Sequence, residues 1–296
     1  MMTQEPQISD FKIASPVGTI ALRQYGEATR EVPVLCLHGW LDNLESFTPL
    51  ARAIQQSAHP LNMVGMDFPG HGHSDWRPQG VAYHFIDGVT DAMAVIEHFG
   101  WPKCHLIGHS MGAAIGALLA ASFPERVCSL VSIEALGPLV SLPKTGPERL
   151  AEHVTERLRA GRSPRLFASP DEAIRLRADR AGPAYDIVAP LVRRNLKKVD
   201  GGWQWRTDPR LRWRTPVRMT ESQVQVFLRR IRCPVAVFKA ESGFARTGTD
   251  IDRRWRCLHH GQLFSVPGGH HCHMEYPEIV GQAIADWWQA HFPKDV

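Results

Sequence analysis

The chain has 296 residues, of which 44% are hydrophobic and 22% are charged, and its formal net charge is +4. A chain of this length can bury a large core, and we expect one α/β domain that carries an insertion. No apolar run approaches the roughly 18 residues of a membrane-spanning helix, and residues 1–10 lack the apolar core of a signal peptide. The six cysteines have no spacing typical of a disulfide framework, so we predict a reducing, cytoplasmic location.

Short apolar runs between turn residues predict eight strands, and helical periodicity separates most of the later ones. The first two strands are joined by a tight turn and should form an antiparallel hairpin. The βα alternation that follows is typical of a parallel sheet with helices on both faces. The predicted strands are residues 10–14, 18–24, 32–37, 61–67, 103–108, 127–133, 233–239 and 262–266, and the predicted helices are residues 44–56, 83–98, 110–122 and 277–292.

The alternation stops between residues 137 and 230, which we predict to be a helical lid inserted into a core of residues 1–136 and 231–296. The predicted lid carries 20 Lys or Arg and 10 Asp or Glu, a net of +10, whereas the core carries 14 and 20, a net of −6. This charge suits an anionic substrate, a membrane surface or pairing with core acids. No nucleic-acid-binding module accompanies it. The helical patches are residues 147–160, 171–180, 185–197 and 220–230.

A nucleophile candidate lies in the run Gly108-His109-Ser110-Met111-Gly112. An apolar strand precedes this run and a stretch of small residues typical of a closely packed helix follows it. Glycines two residues to either side of a serine permit a tight strand-to-helix turn, which strains the serine backbone and exposes its hydroxyl. We therefore predict that Ser110 is a nucleophile and not merely the capping residue of a glycine-rich helix.

A serine hydroxyl needs a base, a residue that orients the base, and donors for the oxyanion. The base candidate is His270, which directly follows Gly268-Gly269 on the loop after the last predicted strand. His271 and His273 are the competing candidates and are expected to be supporting loop residues. A metal cluster of His270, His271, Cys272, His273 and Glu275 is the rival interpretation, but ligands this close in sequence rarely converge on one ion.

A second run of residues offers another possible set of metal ligands. Residues 71–75, His-Gly-His-Ser-Asp, resemble the H-x-H-x-D run of metallohydrolases. The histidine expected next is Trp76 in this chain. We therefore predict no metal site and no cofactor.

The oxyanion donors are predicted to be the backbone N–H groups of Trp40, on the loop after the third strand, and of Met111, directly after the candidate nucleophile. The side chain of Trp40 is also a candidate wall of the acyl pocket. His109, next to the serine, is the second candidate for contact with substrate.

Together these stretches resemble the α/β-hydrolase superfamily over nearly the whole chain, and most closely its branch of serine hydrolase-like proteins. The resemblance implies an eight-stranded, mostly parallel sheet flanked by helices, an inserted helical lid, and catalytic residues in the order serine, acid, histidine. The stretches that carry it, in the family's order, are residues 37–43 (LHGWLDN), 66–74 (MDFPGHGHS), 108–112 (GHSMG) and 269–270 (GH).

The acid departs from the family's common arrangement. In most members it follows the strand after the lid, and that position here is Gly243, with Glu241 two residues earlier. Some members, including a group of dehalogenases, place the acid after the preceding strand, where this chain has Glu134. We favour Glu134, keep Glu241 as the alternative acid, and note Asp250 as a further candidate.

The expected activity is hydrolysis of a carboxylic ester or thioester by a Ser-His-Glu triad in a monomer or homodimer, with an anionic substrate as one option. Because the candidate nucleophile is a serine and not an aspartate, dehalogenation and epoxide hydrolysis through an alkyl-enzyme are disfavoured. Three alternatives remain: C–C bond hydrolysis or acyl transfer on the same triad, a non-catalytic ligand-binding member of the fold, and a lipase that acts at a membrane surface.

Overall fold

A mixed sheet of eight strands forms the centre of the protein. The computed structural model describes residues 7–27, 32–57, 59–159, 165–180, 183–243 and 251–293. The described strands are β1 (Ile8–Ser15), β2 (Gly18–Tyr25), β3 (Val34–Leu37), β4 (Met63–Met66), β5 (Cys104–His109), β6 (Val127–Ile133), β7 (Leu196–Val199), β8 (Gly202–Trp205), β9 (Val235–Ala240) and β10 (Gly261–Val266).

The large sheet has the order β1-β2-β4-β3-β5-β6-β9-β10, and β7 and β8 form a separate hairpin. Strand β2 pairs antiparallel with both β1 and β4, and all the other pairs are parallel. The predicted mostly parallel sheet of eight strands is therefore confirmed. Its carboxyl edge gathers the loops that follow β3, β5, β6, β9 and β10, and these loops carry the candidate site.

Helices cover both faces of the sheet. The described helices are α1 (Thr48–Gln55), α2 (Asp87–His98), α3 (Met111–Ser122), α4 (Gly146–Leu158), α5 (Pro170–Asp179), α6 (Tyr185–Arg194), α7 (Glu221–Arg230), α8 (Ile251–Arg254), α9 (Cys272–Glu275) and α10 (Pro277–His291).

The two faces of the sheet carry separate apolar clusters. Helices α2, α3 and α7 pack against one apolar cluster, and α1 and α10 pack against another on the opposite face. Strand β3 shows the alternation that this requires, because Leu35 and Leu37 belong to the first cluster and Val34 and Cys36 to the second.

None of the helices within the described ranges combines the length and the hydropathy that crossing a bilayer requires.

The segment predicted as a helical lid, residues 137–230, contains α4, α5, α6 and α7 and also the hairpin β7–β8 among its described residues. The prediction of a helix over 185–197 was wrong at its end, because α6 stops at Arg194 and β7 begins two residues later. Gly201 and Gly202 form the turn with φ of 83° and 149°, which are accessible to glycine and strained for other residues. We call residues 137–230 the insertion.

Arginines of the insertion bind acids and carbonyls of the core. Arg177 on α5 lies 2.8 Å from Asp42, and Arg194 at the end of α6 lies 3.0 Å from the buried Asp67. Arg210 donates to the carbonyls of three residues that follow β4, namely Arg77, Pro78 and Val81. Part of the positive charge of the insertion therefore fastens it to the more acidic core.

The ion pair between Arg194 and Asp67 should contribute strongly to stability, because Asp67 has no exposed surface. The Arg194→Met variant leaves this carboxylate buried without its cation and should lower the free energy of unfolding by about 3 kcal/mol. Urea denaturation measures the change. The control is Arg214→Met, which breaks a pair with Glu152 that is about half exposed on both sides and should cost less than about 1 kcal/mol. Equal losses in the two variants would contradict this account.

Candidate active site

Ser110 directly follows β5 and precedes α3, which is the strand–turn–helix context expected from its sequence. Its backbone has φ 51° and ψ −111°, a conformation that is strained for a residue with a side chain. The turn is tight enough that a Cβ at Gly112 would run into the carbonyl of Leu37. Close packing of the turn against β3 therefore requires the second glycine of the motif and holds the serine at the carboxyl edge of the sheet.

His270 lies between Ser110 and Glu134. Its Nε2 is 2.9 Å from the Ser110 hydroxyl oxygen, and its Nδ1 is 3.2 Å from Oε2 of Glu134. In the neutral ring the Nδ1–H donates to the carboxylate, and Nε2 is the nitrogen that accepts the serine proton. The structure thus brings together the predicted nucleophile, the predicted base and the favoured acid.

Glu134 follows β6 with φ 57°, and its side chain is only 3% exposed. The backbone N–H of Ala240, at the end of β9, donates to its Oε1 at 2.7 Å. A Cβ at Gly243 would run into the Glu134 carboxylate, so the position that the resemblance gave as the common place of the acid holds a glycine that adjoins Glu134. Glu241, the alternative acid, is exposed to solvent, and Asp250 lies outside the described residues.

The predicted oxyanion donors lie on the loop after β3, for Trp40, and at the start of α3, for Met111. Neither the Trp40 N–H nor the Met111 N–H has a hydrogen-bond partner within the described part of the chain. Met111 is the first residue of α3, where backbone N–H groups are unpaired and the helix dipole favours negative charge. The Trp40 side chain is 50% exposed, and its indole N–H donates to the carbonyl of Leu211 in the insertion at 3.1 Å.

His109, predicted to contact substrate, has no exposed surface in this conformation. Its Nε2–H donates to the backbone carbonyl of His270 at 2.7 Å. His109 therefore holds the backbone of the loop that carries His270. Burial, together with the neighbouring histidines, holds the pKa of His109 well below its ordinary value, so the ring is neutral.

A second buried network adjoins this support. His271 Nε2 lies 3.1 Å from Oδ2 of Asp42, and Arg177 binds the other carboxylate oxygen. Burial acts to raise the pKa of Asp42, but His271 and Arg177 hold it well below its ordinary value. The sequence reasoning overlooked Asp42 and Arg177. An acid three residues after the glycine of the donor loop was a usable signal for the first, and nothing local marked the second.

The clustered residues of the last loop do not converge on one point. His270 faces Ser110, His271 faces Asp42, and Glu275 accepts from the backbone N–H of Gly269. The three side chains thus already have separate partners, which disfavours the metal cluster drawn from that loop.

Residues of the H-x-H-x-D run are likewise separated. His71 is buried, and burial lowers its pKa to about 3. Asp75 accepts from the backbone N–H of Thr19, at the start of β2. The run therefore belongs to the packing of the loop after β4.

Comparisons with known proteins identify the fold family of the chain. A model of the α/β-hydrolase fold family matches residues 32–179. A serine hydrolase-like protein of Danio rerio is 27% identical over 98% of this chain and 91% of its own length, and serine hydrolase-like protein 2 of Homo sapiens is 29% identical over 95% and 94%. The crystal structure of a hypothetical protein of Pseudomonas aeruginosa superposes with a TM-score of 0.87, at 34% identity, over 96% of this chain and 99% of that one.

The contact between Gly243 and Glu134 predicts the effect of a single methyl group. Gly243→Ala should push the Glu134 carboxylate away from His270 and lower kcat for an ester by about 10-fold to 100-fold, with the fold retained. Steady-state kinetics on a p-nitrophenyl ester give the value, and circular dichroism checks folding. Gly146→Ala is the matched control, because a Cβ there meets nothing within 4 Å. Wild-type kcat in Gly243→Ala would show that the acid is not held at this position.

Proposed function

Since the chain belongs to the α/β-hydrolase fold family, we propose that it is a serine hydrolase that cleaves a carboxylic ester or thioester through an acyl-enzyme. The observation that carries the proposal is the continuous chain of contacts from the Ser110 hydroxyl through His270 to Glu134, at 2.9 Å and 3.2 Å. Curated relatives named serine hydrolase-like proteins support the hydrolase class. The ester or thioester substrate and the Ser-His-Glu assignment are our own inference from the site.

In the proposed reaction the Ser110 oxygen attacks the substrate carbonyl while His270 Nε2 takes the hydroxyl proton. The negative charge that develops on the carbonyl oxygen is stabilised by the backbone N–H groups of Trp40 and Met111. His270 then returns the proton to the leaving alcohol or thiol, and an acyl group remains on Ser110. Water, deprotonated by the same histidine, hydrolyses the acyl-enzyme and restores the serine.

Glu134 acts on the base and not on the substrate. Its carboxylate fixes the tautomer in which Nδ1 of His270 carries the proton, and it stabilises the imidazolium that forms during attack. The side chain is nearly buried, so water screens this interaction little. The N–H of Ala240 holds the second carboxylate oxygen, which limits rotation of the acid.

Backbone strain favours a catalytic role over a purely ligand-binding one. Ser110 and Glu134 are both in the left-handed region, and each such residue costs of order 1–3 kcal/mol. A protein that only binds a ligand has no need for two strained residues, Ser110 and Glu134, that both contact His270. C–C bond hydrolysis and acyl transfer would use the same residues, and they differ from ester hydrolysis only in the bond cleaved or in the acceptor.

The insertion is proposed to form a lid over this site, with boundaries at residues 137 and 230. The contact between the Trp40 indole and Leu211 supports this, because it joins the donor loop of the core to the insertion. Trp40 is then a candidate wall of the substrate pocket. Preference for an anionic substrate, the cytoplasmic location and a monomeric or homodimeric state stay predictions. The proposed chemistry itself calls for no cofactor.

A fluorophosphonate probe tests the nucleophile. It should label wild-type protein on Ser110 alone, and Ser110→Ala should lose the label together with roughly 10³-fold or more of the ester turnover. Mass spectrometry locates the adduct. Ser122→Ala, an exposed serine at the far end of α3, is the control and should behave as wild type. Full turnover by Ser110→Ala would exclude the proposed mechanism.

A further inference from the structure

One nitrogen of His109 is buried without a partner. The carbonyl of His270 only accepts, so the His109 Nε2 at 2.7 Å from it carries the ring proton. In the neutral ring Nδ1 is then a bare lone pair. It has no hydrogen-bond partner within the described residues, and it lies 3.8 Å from Oδ2 of Asp42. A lone pair and a carboxylate oxygen facing each other repel, and nothing in the described structure separates them.

His271 supplies a third donor atom at the same place. Its Nε2 is 3.1 Å from the same Asp42 oxygen, and the three donor atoms all lie within 4.8 Å of one another. All three side chains are buried. A Cβ at Gly39 would lie 2.8 Å from the Asp42 oxygen and 2.9 Å from His109 Nδ1, so a larger residue at 39 would fill the space beside both donors.

The outer contacts of these residues match those of metal ligands. A histidine that binds a metal usually donates its other N–H to a carbonyl or carboxylate, and a ligating carboxylate is itself hydrogen-bonded. His109 donates its other N–H to the His270 carbonyl, and the second oxygen of Asp42 is bound by Arg177. The orienting contacts of two of the three residues are therefore already present.

We propose that Asp42, His109 and His271 bind one divalent transition-metal cation of the Zn²⁺ type. The ligand atoms are Asp42 Oδ2, His109 Nδ1 and His271 Nε2. Two imidazoles and one carboxylate suit Zn²⁺ better than Mg²⁺ or Ca²⁺, which prefer oxygen ligands. A ligating Nε2 carries no proton, so the ring proton of His271 lies on Nδ1 in the metal-bound form.

The spacing of the donors fits such an ion. Bonds of about 2.1 Å to a tetrahedral zinc place two ligand atoms about 3.4 Å apart. The distances from Asp42 Oδ2 to His271 Nε2 and to His109 Nδ1 are 3.1 Å and 3.8 Å, on either side of that value. The third pair, His109 Nδ1 and His271 Nε2, lies within 4.8 Å, so these two side chains must close on the ion when it binds.

The proposed ion lies next to the loop that carries the base. The ring centre of His109 is 4.8 Å from that of His270, and His271 is the next residue in the chain.

The first experiment measures binding directly. Metal-depleted full-length protein is dialysed against Zn²⁺, and bound metal is counted by atomic emission. One ion per chain is expected, with affinity at least about 100-fold weaker in His109→Gln and in His271→Gln. Exposed His259 and the base His270 provide controls, because His259→Gln and His270→Ala should both keep the ion. Thermal melts with and without Zn²⁺ confirm that each variant folds.

Wild-type protein alone gives a second measurement, which decides the matter if the variants fail to fold. Co²⁺ in the site should give visible d–d absorption and two hyperfine-shifted imidazole N–H signals in the NMR spectrum. No bound ion in the wild type, or binding unchanged in both glutamine variants, would overturn the proposal, the latter by indicating adventitious surface histidines. Loss of binding in His270→Ala alone would overturn it by placing the ion on the triad. Expected binding without any esterase activity would instead reject the proposed function and leave the metal site standing.

Discussion

Two residues with left-handed backbones, at the ends of two neighbouring parallel strands, determine the rest of the site. Ser110 directly follows β5 and has φ 51°, and Glu134 directly follows β6 and has φ 57°. Each is tied to the next strand, since the Ser110 N–H donates to Ile133 and the Glu134 N–H donates to Phe238, both at 2.9 Å. The hydrogen bonds between the strands thus extend to Ser110 and Glu134. They fix the positions from which both side chains reach His270.

The position of the acid is coupled to a glycine on the neighbouring strand. Glu134 fills the space that a side chain at 243 would need, and the backbone after β9 binds its carboxylate through Ala240. The acid after β6 therefore requires a glycine after β9, because a side chain at 243 would collide with the Glu134 carboxylate. Glu241 is two residues before Gly243 in the sequence, but its side chain is exposed. It therefore lacks the low-dielectric surroundings that make an orienting carboxylate effective.

The sheet and the nucleophile turn could be predicted because their signals are local. Alternating apolar residues fixed the strands within a few positions, and the glycines around Ser110 fixed the turn. The hairpin β7–β8 was not predicted, because its strands have only four residues each. The basic residues of β7 also directly follow those at the end of α6, so nothing in the sequence indicated that the helix ends there. The contacts of Asp42 were out of reach, since Arg177 and His271 lie 135 and 229 residues away in the chain.

His109 illustrates the same limit. Its place beside the nucleophile indicated contact with substrate, whereas the fold turns its ring inward beneath the base loop. The direction in which the His109 ring points depends on how β5 packs against loops that are distant in sequence. The sequence position of His109 placed it correctly beside Ser110, but it did not indicate the hydrogen bond to the His270 carbonyl.

The most direct test of the account is the kcat of Glu134→Gln compared with that of Glu241→Gln on one ester, with circular dichroism confirming that both variants fold. Loss of an acid that orients the base costs on the order of 10⁴ in kcat in well-studied triads. The account predicts a loss of about 10²-fold or more in Glu134→Gln and less than about tenfold in Glu241→Gln. A nearly wild-type Glu134→Gln beside an inactive Glu241→Gln would contradict it.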